Sequence, residues 1–186
     1  MKKIINKKSS IVILIGLICI PLLIVVLWWT NDAYQPTIEK AYQQGVKAGL
    51  CYEMEQELGL FNYGDEALWL YVSEDEILCT VTFKYDSKRE KWTISATTEL
   101  GYVSDLETRW LDIYGKESCA YEIIGGTTLV GYRLHDGKTP FVNGQKTTVY
   151  TYQITCENQV HYLDFWELKG FSSNQFNQIQ LSFKED

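Results

Sequence analysis

Ala67-Leu68-Trp69-Leu70-Tyr71-Val72 carries no charge and is apolar at odd and even positions alike. A strand with one wet face alternates apolar and polar side chains. A strand apolar on both faces must be covered on both. This segment therefore predicts a central strand. Downstream, Ile77, Cys79, Val81, Phe83 and Tyr85 alternate with more polar neighbours, and so do Trp92, Ile94 and Ala96. The connectors 73–76 and 86–90 are short and polar, so the three segments predict an antiparallel meander.

Upstream, Pro36 and Thr37 suit a helix start, with Thr as the cap. Ile38, Ala41, Tyr42, Gly45, Val46, Gly49 and Tyr52 recur at helical spacing, and Gly59 is a natural stop. Beyond the meander, Ser104-Asp105-Leu106-Glu107 matches a capping box. Leu106, Trp110 and Ile113 continue it as an apolar stripe that Gly115 ends, which predicts a second helix. Residues 121–124, 128–134, 147–156 and 160–168 have strand character, and 176–183 supplies a closing strand. Asp136-Gly137 and Asn143-Gly144 are strong hairpin turns, and Glu157-Asn158 turns a further hairpin. The expected fold class is α+β, with two helices packed on antiparallel sheet in helix–meander–helix–meander order.

The N-terminus predicts a location. Residues 11–29 are apolar and uncharged, follow Lys2, Lys3, Lys7 and Lys8, and end in Leu27-Trp28-Trp29. As a helix they would span roughly 28 Å, close to the hydrocarbon core of a bilayer. The run is longer than the apolar region of a cleaved signal peptide, and no good cleavage site follows it. The expected organisation is a basic cytoplasmic tail (1–10), a transmembrane signal-anchor helix (11–29), a tether (30–36) and an extracytoplasmic domain (37–186). With basic residues held on the cytoplasmic side, the chain is expected in the cell membrane, single-pass, with its C-terminal domain outside.

Composition narrows the partners. The chain has a net charge of −7, with 24 acidic and 17 basic residues. All 24 acids but only 13 of the bases follow residue 29, so the expected external part balances to −11. That excludes a basic footprint for nucleic acid. Cys51, Cys79, Cys119 and Cys156 fall in the same part. An even number in an exported domain permits two disulfides, with three possible connectivities. No Cys-x-x-Cys or Cys/His cluster suggests a metal, and no motif implies a cofactor.

Catalytic constellations are sparse. His135 adjoins a predicted turn, where a solvated loop residue is expected. Cys156 and His161 share a face if their hairpin loop has an even length, but Ile154, Leu163 and Phe165 share it too, which places the pair in a core. Asp164 and Glu167, near Trp166, differ by an odd spacing and face opposite ways on a regular strand. What remains is aromatic: Tyr150 and Tyr152 form a stripe on one strand that could lie beside Tyr162, and Trp166 follows on the next. Tyr and Trp are enriched at binding surfaces. The sequence thus points to a non-enzymatic binding or assembly role at the cell envelope, with the bilayer contacted through 11–29 and a protein as partner. The alternative is an extracytoplasmic glycan-binding module or hydrolase using the aromatic and acidic surface.

Overall fold

The computed structural model describes residues 33–105, 120–156 and 159–185. One helix, α1 (Ile38–Lys47), precedes four strands, β1 (Met54–Asn62), β2 (Glu66–Ser73), β3 (Ile77–Asp86) and β4 (Lys91–Tyr102). They form an antiparallel sheet in the order β1-β2-β3-β4. A second sheet holds β5 (Ala120–Ile124), β6 (Thr128–Leu134), β9 (Thr148–Cys156) and β10 (Gln159–Lys169) in the order β5-β6-β10-β9. A third, small sheet joins β7 (Lys138–Val142), β8 (Gln145–Lys146) and β11 (Leu181–Glu185) in the order β11-β7-β8.

These elements stack in four layers because three strands are apolar on both faces. On one face of β2, Ala67, Trp69 and Tyr71 pack against Ile38, Ala41 and Tyr42 of α1. On the other face, Leu68, Leu70 and Val72 meet Val130 and Tyr132 of β6, Ile154 of β9 and Leu163 and Phe165 of β10. The reverse faces of β6 and β10 bury Leu129 and Trp166 against Val142, with Phe183 and Leu181 of the third sheet alongside. Each fully buried Leu or Phe is worth about 1.5–3 kcal/mol relative to leaving it in water, so the order of layers follows from covering these faces.

The structure corrects the expected fold class. The fold is predominantly antiparallel β in three sheets, with a single short α-helix among the described residues, and is not an α+β domain with two packed helices. Thr37 does cap α1, accepting from the Lys40 amide at 3.3 Å. The helix stops at Lys47, where Ala48 caps it and Gly49 turns left-handed at φ +70. The chain from Met54 to Gly59, expected to carry the helix to its stop, instead belongs to β1 and pairs with β2. A strand as apolar as β2 needs a neighbour on each side, and this pairing overrides weak local periodicity. Only Val103–Asp105 of the second helix's capping region is described, as a 3-10 turn; its remaining stretch lies outside the described residues. The closing strand begins at Leu181 because Ser173–Gln178 forms another 3-10 segment.

The expected transmembrane and single-pass organisation is corrected in the same way. No helix among the described residues is long and apolar enough to cross a membrane, and the run expected to do so, 11–29, lies outside them. The meander is confirmed and gains β1 as a fourth strand, with β2 central as expected. Asn143 and Gly144 both have positive φ, 50 and 80, as a tight two-residue hairpin requires.

Burial also sets an alkaline limit on this fold. It pushes the Tyr42 phenol up to about 12 and raises Tyr63, Tyr71 and Tyr132 further. An unfolded tyrosine titrates near pH 10. Each raised pKa therefore contributes stability that is complete below about pH 10 and is lost as pH climbs toward the folded value. Tyrosinate absorbance from these four rings should appear together with loss of the β-sheet circular dichroism signal above pH 10. Their smooth ionisation in a chain that stays folded would contradict this.

Candidate functional site

β9 and β10 carry the sequence-predicted aromatic residues, and their pairing distributes them over two faces. Tyr150 lies opposite Phe165 and Tyr152 opposite Leu163, whereas Tyr162 lies opposite Gln153 and Trp166 opposite Val149. Tyr150 and Tyr152 thus project on the side of the first sheet, and Tyr162 and Trp166 on the other. Trp166 is fully buried, Tyr152 is half-buried, and Tyr150 and Tyr162 are 38% and 47% exposed. The Tyr150 ring sits 5.8 Å from Phe61, and its hydroxyl lies 3.4 Å from Oε1 of Glu167. The three tyrosines lie on opposite faces of the β9–β10 pair and do not form a single flat row.

Cys156 and His161 share a face, as an even-length loop requires, and both are buried with Ile154 and Leu163. Asp164 and Glu167 face opposite ways. Glu167 is buried on the first sheet's side, where it accepts from the Tyr63 hydroxyl at 3.1 Å and pairs with Lys169 at 3.2 Å. Burial followed by the Glu167 charge raises the Tyr63 pKa. Among the described residues, no group of three or more His, Cys, Asp or Glu side chains could hold a metal ion. Cys51 and Cys79 lie apart from this region, beside α1; Cys119 lies outside the described residues.

His135 is the residue whose surroundings sequence reasoning missed. It is not merely a solvated turn residue: Nδ1 lies 2.9 Å and 3.0 Å from the two oxygens of Asp164. Asp164 is buried and also accepts from the Thr151 hydroxyl at 2.6 Å. Arg133 is the register partner of Asp164 on β6 and pairs with Asp136 at 2.5 Å. No sequence signal joins His135 to Asp164, because their proximity arises from the β6–β10 register. A carboxylate that orients a partly exposed imidazole is half of a catalytic arrangement. Among the described residues, the hydroxyl bonded to that carboxylate, on Thr151, donates to it and so is not activated by the imidazole.

A concavity of about 520 Å³ lies between α1 and β4. Its walls include Ala41, Gly45, Ile94 and Arg89, and it adjoins Ala33, where the described residues begin. Tyr34, Gln44 and Thr93 also line it.

The outer edge of β9 is more distinctive. β9 ends the second sheet, and no strand among the described residues pairs with its free side. The β9 sequence, Thr-Val-Tyr-Thr-Tyr-Gln-Ile-Thr-Cys, contains no charge over 9 residues. Every other edge strand described carries at least one: Glu55 on β1, Lys91 on β4, Glu122 on β5, Lys146 on β8 and Lys184 on β11. Charges on an edge suppress unwanted pairing. The direction of the free backbone groups is also fixed. The Gln153 carbonyl accepts from the Gln56 side chain at 3.1 Å, and the opposite Tyr162 carbonyl accepts from the His135 amide at 3.0 Å. Gln153 and Tyr162 therefore form a non-hydrogen-bonded pair. By alternation, Val149, Thr151, Gln153 and Thr155 turn their backbone groups outward. Tyr162 and Val160 are exposed on one side of this edge and Tyr150 on the other.

No family model matches the chain, and it has no significant match to a curated protein or a solved structure.

The buried carboxylate supports this end of the second sheet. Asp164→Asn keeps the shape but removes the charge that both partners address, and should cost about 1–3 kcal/mol in urea unfolding. His135→Gln, at a position with a 41% exposed side chain, should cost less. Equal stability of the wild type and Asp164→Asn would show that the contacts are not stabilising.

Proposed function

We propose that this chain is a non-enzymatic binding protein that takes up an extended segment of a partner protein as an additional strand on the free edge of β9. The observation that carries this is the uncharged β9 edge in a chain whose other described edges are all charged. Strand addition draws affinity from main-chain hydrogen bonds and specificity from alternate side chains. The outward groups of Val149, Thr151 and Thr155 and the outward amide of Gln153 supply the first, the Gln153 carbonyl being already taken by the Gln56 side chain. Tyr150 and Tyr152 on one side, and Tyr162 and Val160 on the other, supply apolar contacts for alternate residues of the segment. A second copy of the same chain is disfavoured by its own acidity, since residues after 29 balance to −11. An uncharged segment with basic flanks suits these surroundings better.

We place the work of this domain at the outer face of a cell membrane. That reading rests on the sequence of residues 1–29, with its lysines followed by an apolar run. An assembly or accessory role in an envelope complex fits a binding edge held there.

The test uses a displayed library of random peptides selected on the full chain. Selected peptides should be extended, uncharged at their centre and alternately apolar. Gln153→Pro removes one outward amide without touching a bond to β10, a placement proline tolerates in an edge strand. It should weaken these peptides at least roughly tenfold, as loss of 1.4 kcal/mol would, with an unchanged urea midpoint. Undiminished binding to Gln153→Pro, or selection of helical peptides, would overturn the proposal. So would a chain that dimerises through β9.

A further inference from the structure

A small cavity of about 130 Å³ opens between the segment after α1 and the first sheet, and two thiols share its wall. Cys51 enters from the loop that follows α1, and Cys79 enters from β3. Tyr52, Tyr71, Thr98 and Glu99 also line it. Both cysteines belong to the apolar cluster beneath α1, Cys79 buried and Cys51 half-buried. We infer that Cys51 and Cys79 are disulfide partners, forming a covalent tie between the end of α1 and the first sheet. This goes beyond the peptide-binding reading and does not depend on it.

Three observations converge on this pair. The sequence alone permits three connectivities among four cysteines, and the fold puts Cys51 and Cys79 on one cavity while Cys156 lies in the other core, between the first and second sheets. Gly45 is what admits Cys51: a Cβ at Gly45 would stand 2.9 Å from the Cys51 sulfur and closer still to Cδ1 of Ile94. A larger residue there would force the Cys51 sulfur and the Ile94 side chain out of their present places. Both side chains are free thiols here, and the cavity provides space in which they can adjust their rotamers. The bond would close the chain from 51 to 79 and so restrict the unfolded ensemble, fastening the one described α-helix to the strand beside β2.

The chemistry needs a two-electron oxidant, and a small-molecule disulfide such as glutathione disulfide supplies it. Cys51, the more accessible, attacks as its thiolate and displaces one glutathione thiolate, leaving a mixed disulfide. The Cys79 thiolate then attacks the Cys51 sulfur, forms the Sγ–Sγ bond and releases the second glutathione. Two protein thiols are oxidised, two glutathione thiols are formed, and the two protein protons end on them. Burial raises the Cys51 thiol to about 11 and the Cys79 thiol to about 12, so closure is slow at neutral pH and faster in mild alkali.

The experiment equilibrates the full chain, folded, in a glutathione buffer from fully reducing to fully oxidising. Free thiols are blocked and peptides are mapped without reduction. A peptide holding Cys51 linked to one holding Cys79 is expected, with no such link in Cys51→Ser or Cys79→Ser. Gly45→Val should slow its formation at least several-fold if it folds. As a check independent of that variant, the rate should rise with pH between 7 and 9. Cys51 and Cys79 both remaining blockable under full oxidation would overturn the inference. Linkage of either to Cys19, Cys119 or Cys156 would overturn it equally.

Discussion

The two-sided burial of β2 is the constraint from which the rest of the molecule follows. Ala67, Leu68, Leu70 and Tyr71 are each at most 1% exposed, although they alternate between faces. Such a strand cannot lie at a surface. One face requires α1 and the other requires the second sheet. Once β6 and β10 are brought in to cover Leu68 and Leu70, their own reverse faces carry Leu129 and Trp166, and these need the third sheet. Layering propagates outward until it reaches strands that alternate or carry charge. Between the first and second sheets, polar contacts hold the edges in register: Glu66 accepts from the Gly125 amide at 2.7 Å, and Gln56 donates to Gln153 at 3.1 Å. Each is worth on the order of 1 kcal/mol, so they align a stack that apolar burial drives.

This hierarchy bears directly on function. Over residues 163–169, β10 is paired on both edges, and among the described residues β9 pairs only along its inner edge, with β10. A rigid strand behind an open one gives the edge of β9 a fixed geometry. An incoming chain would not have to order the site, which lowers the cost of binding. The Asp164 contacts to Thr151 and His135 hold the middle of β9 and the end of β6 to β10. A buried carboxylate facing an imidazole, an arrangement shared with catalytic sites, thus serves here as a brace.

What was legible in the sequence was the part governed by side-chain period. Residues 67–72 announced a central strand, the alternation from Ile77 to Tyr85 announced β3, and Asn143-Gly144 announced its hairpin. Thr37 announced the start of α1. What was not legible was long-range partnership. Residues 54–59 look locally like the end of a helix and become a strand because β2 needs a neighbour. His135 looks like a turn residue and meets Asp164 only through strand register. The tyrosines at 150, 152 and 162 were recognisable as a group of aromatics, but their distribution over two faces depends on which residues lie opposite them. The absence of charge in β9 was visible in the sequence. Its meaning was not, because only the sheet order makes β9 an edge.

The proposed binding role stands on the openness of that edge. Amide hydrogen exchange along β9 in the unliganded chain tests it directly. An open edge predicts a two-residue alternation, with fast exchange at Val149, Thr151, Gln153 and Thr155 and slow exchange at Tyr150, Tyr152 and Ile154, whose amides pair with β10. Uniform protection of all seven would mean that the outer edge is already covered, and would contradict it.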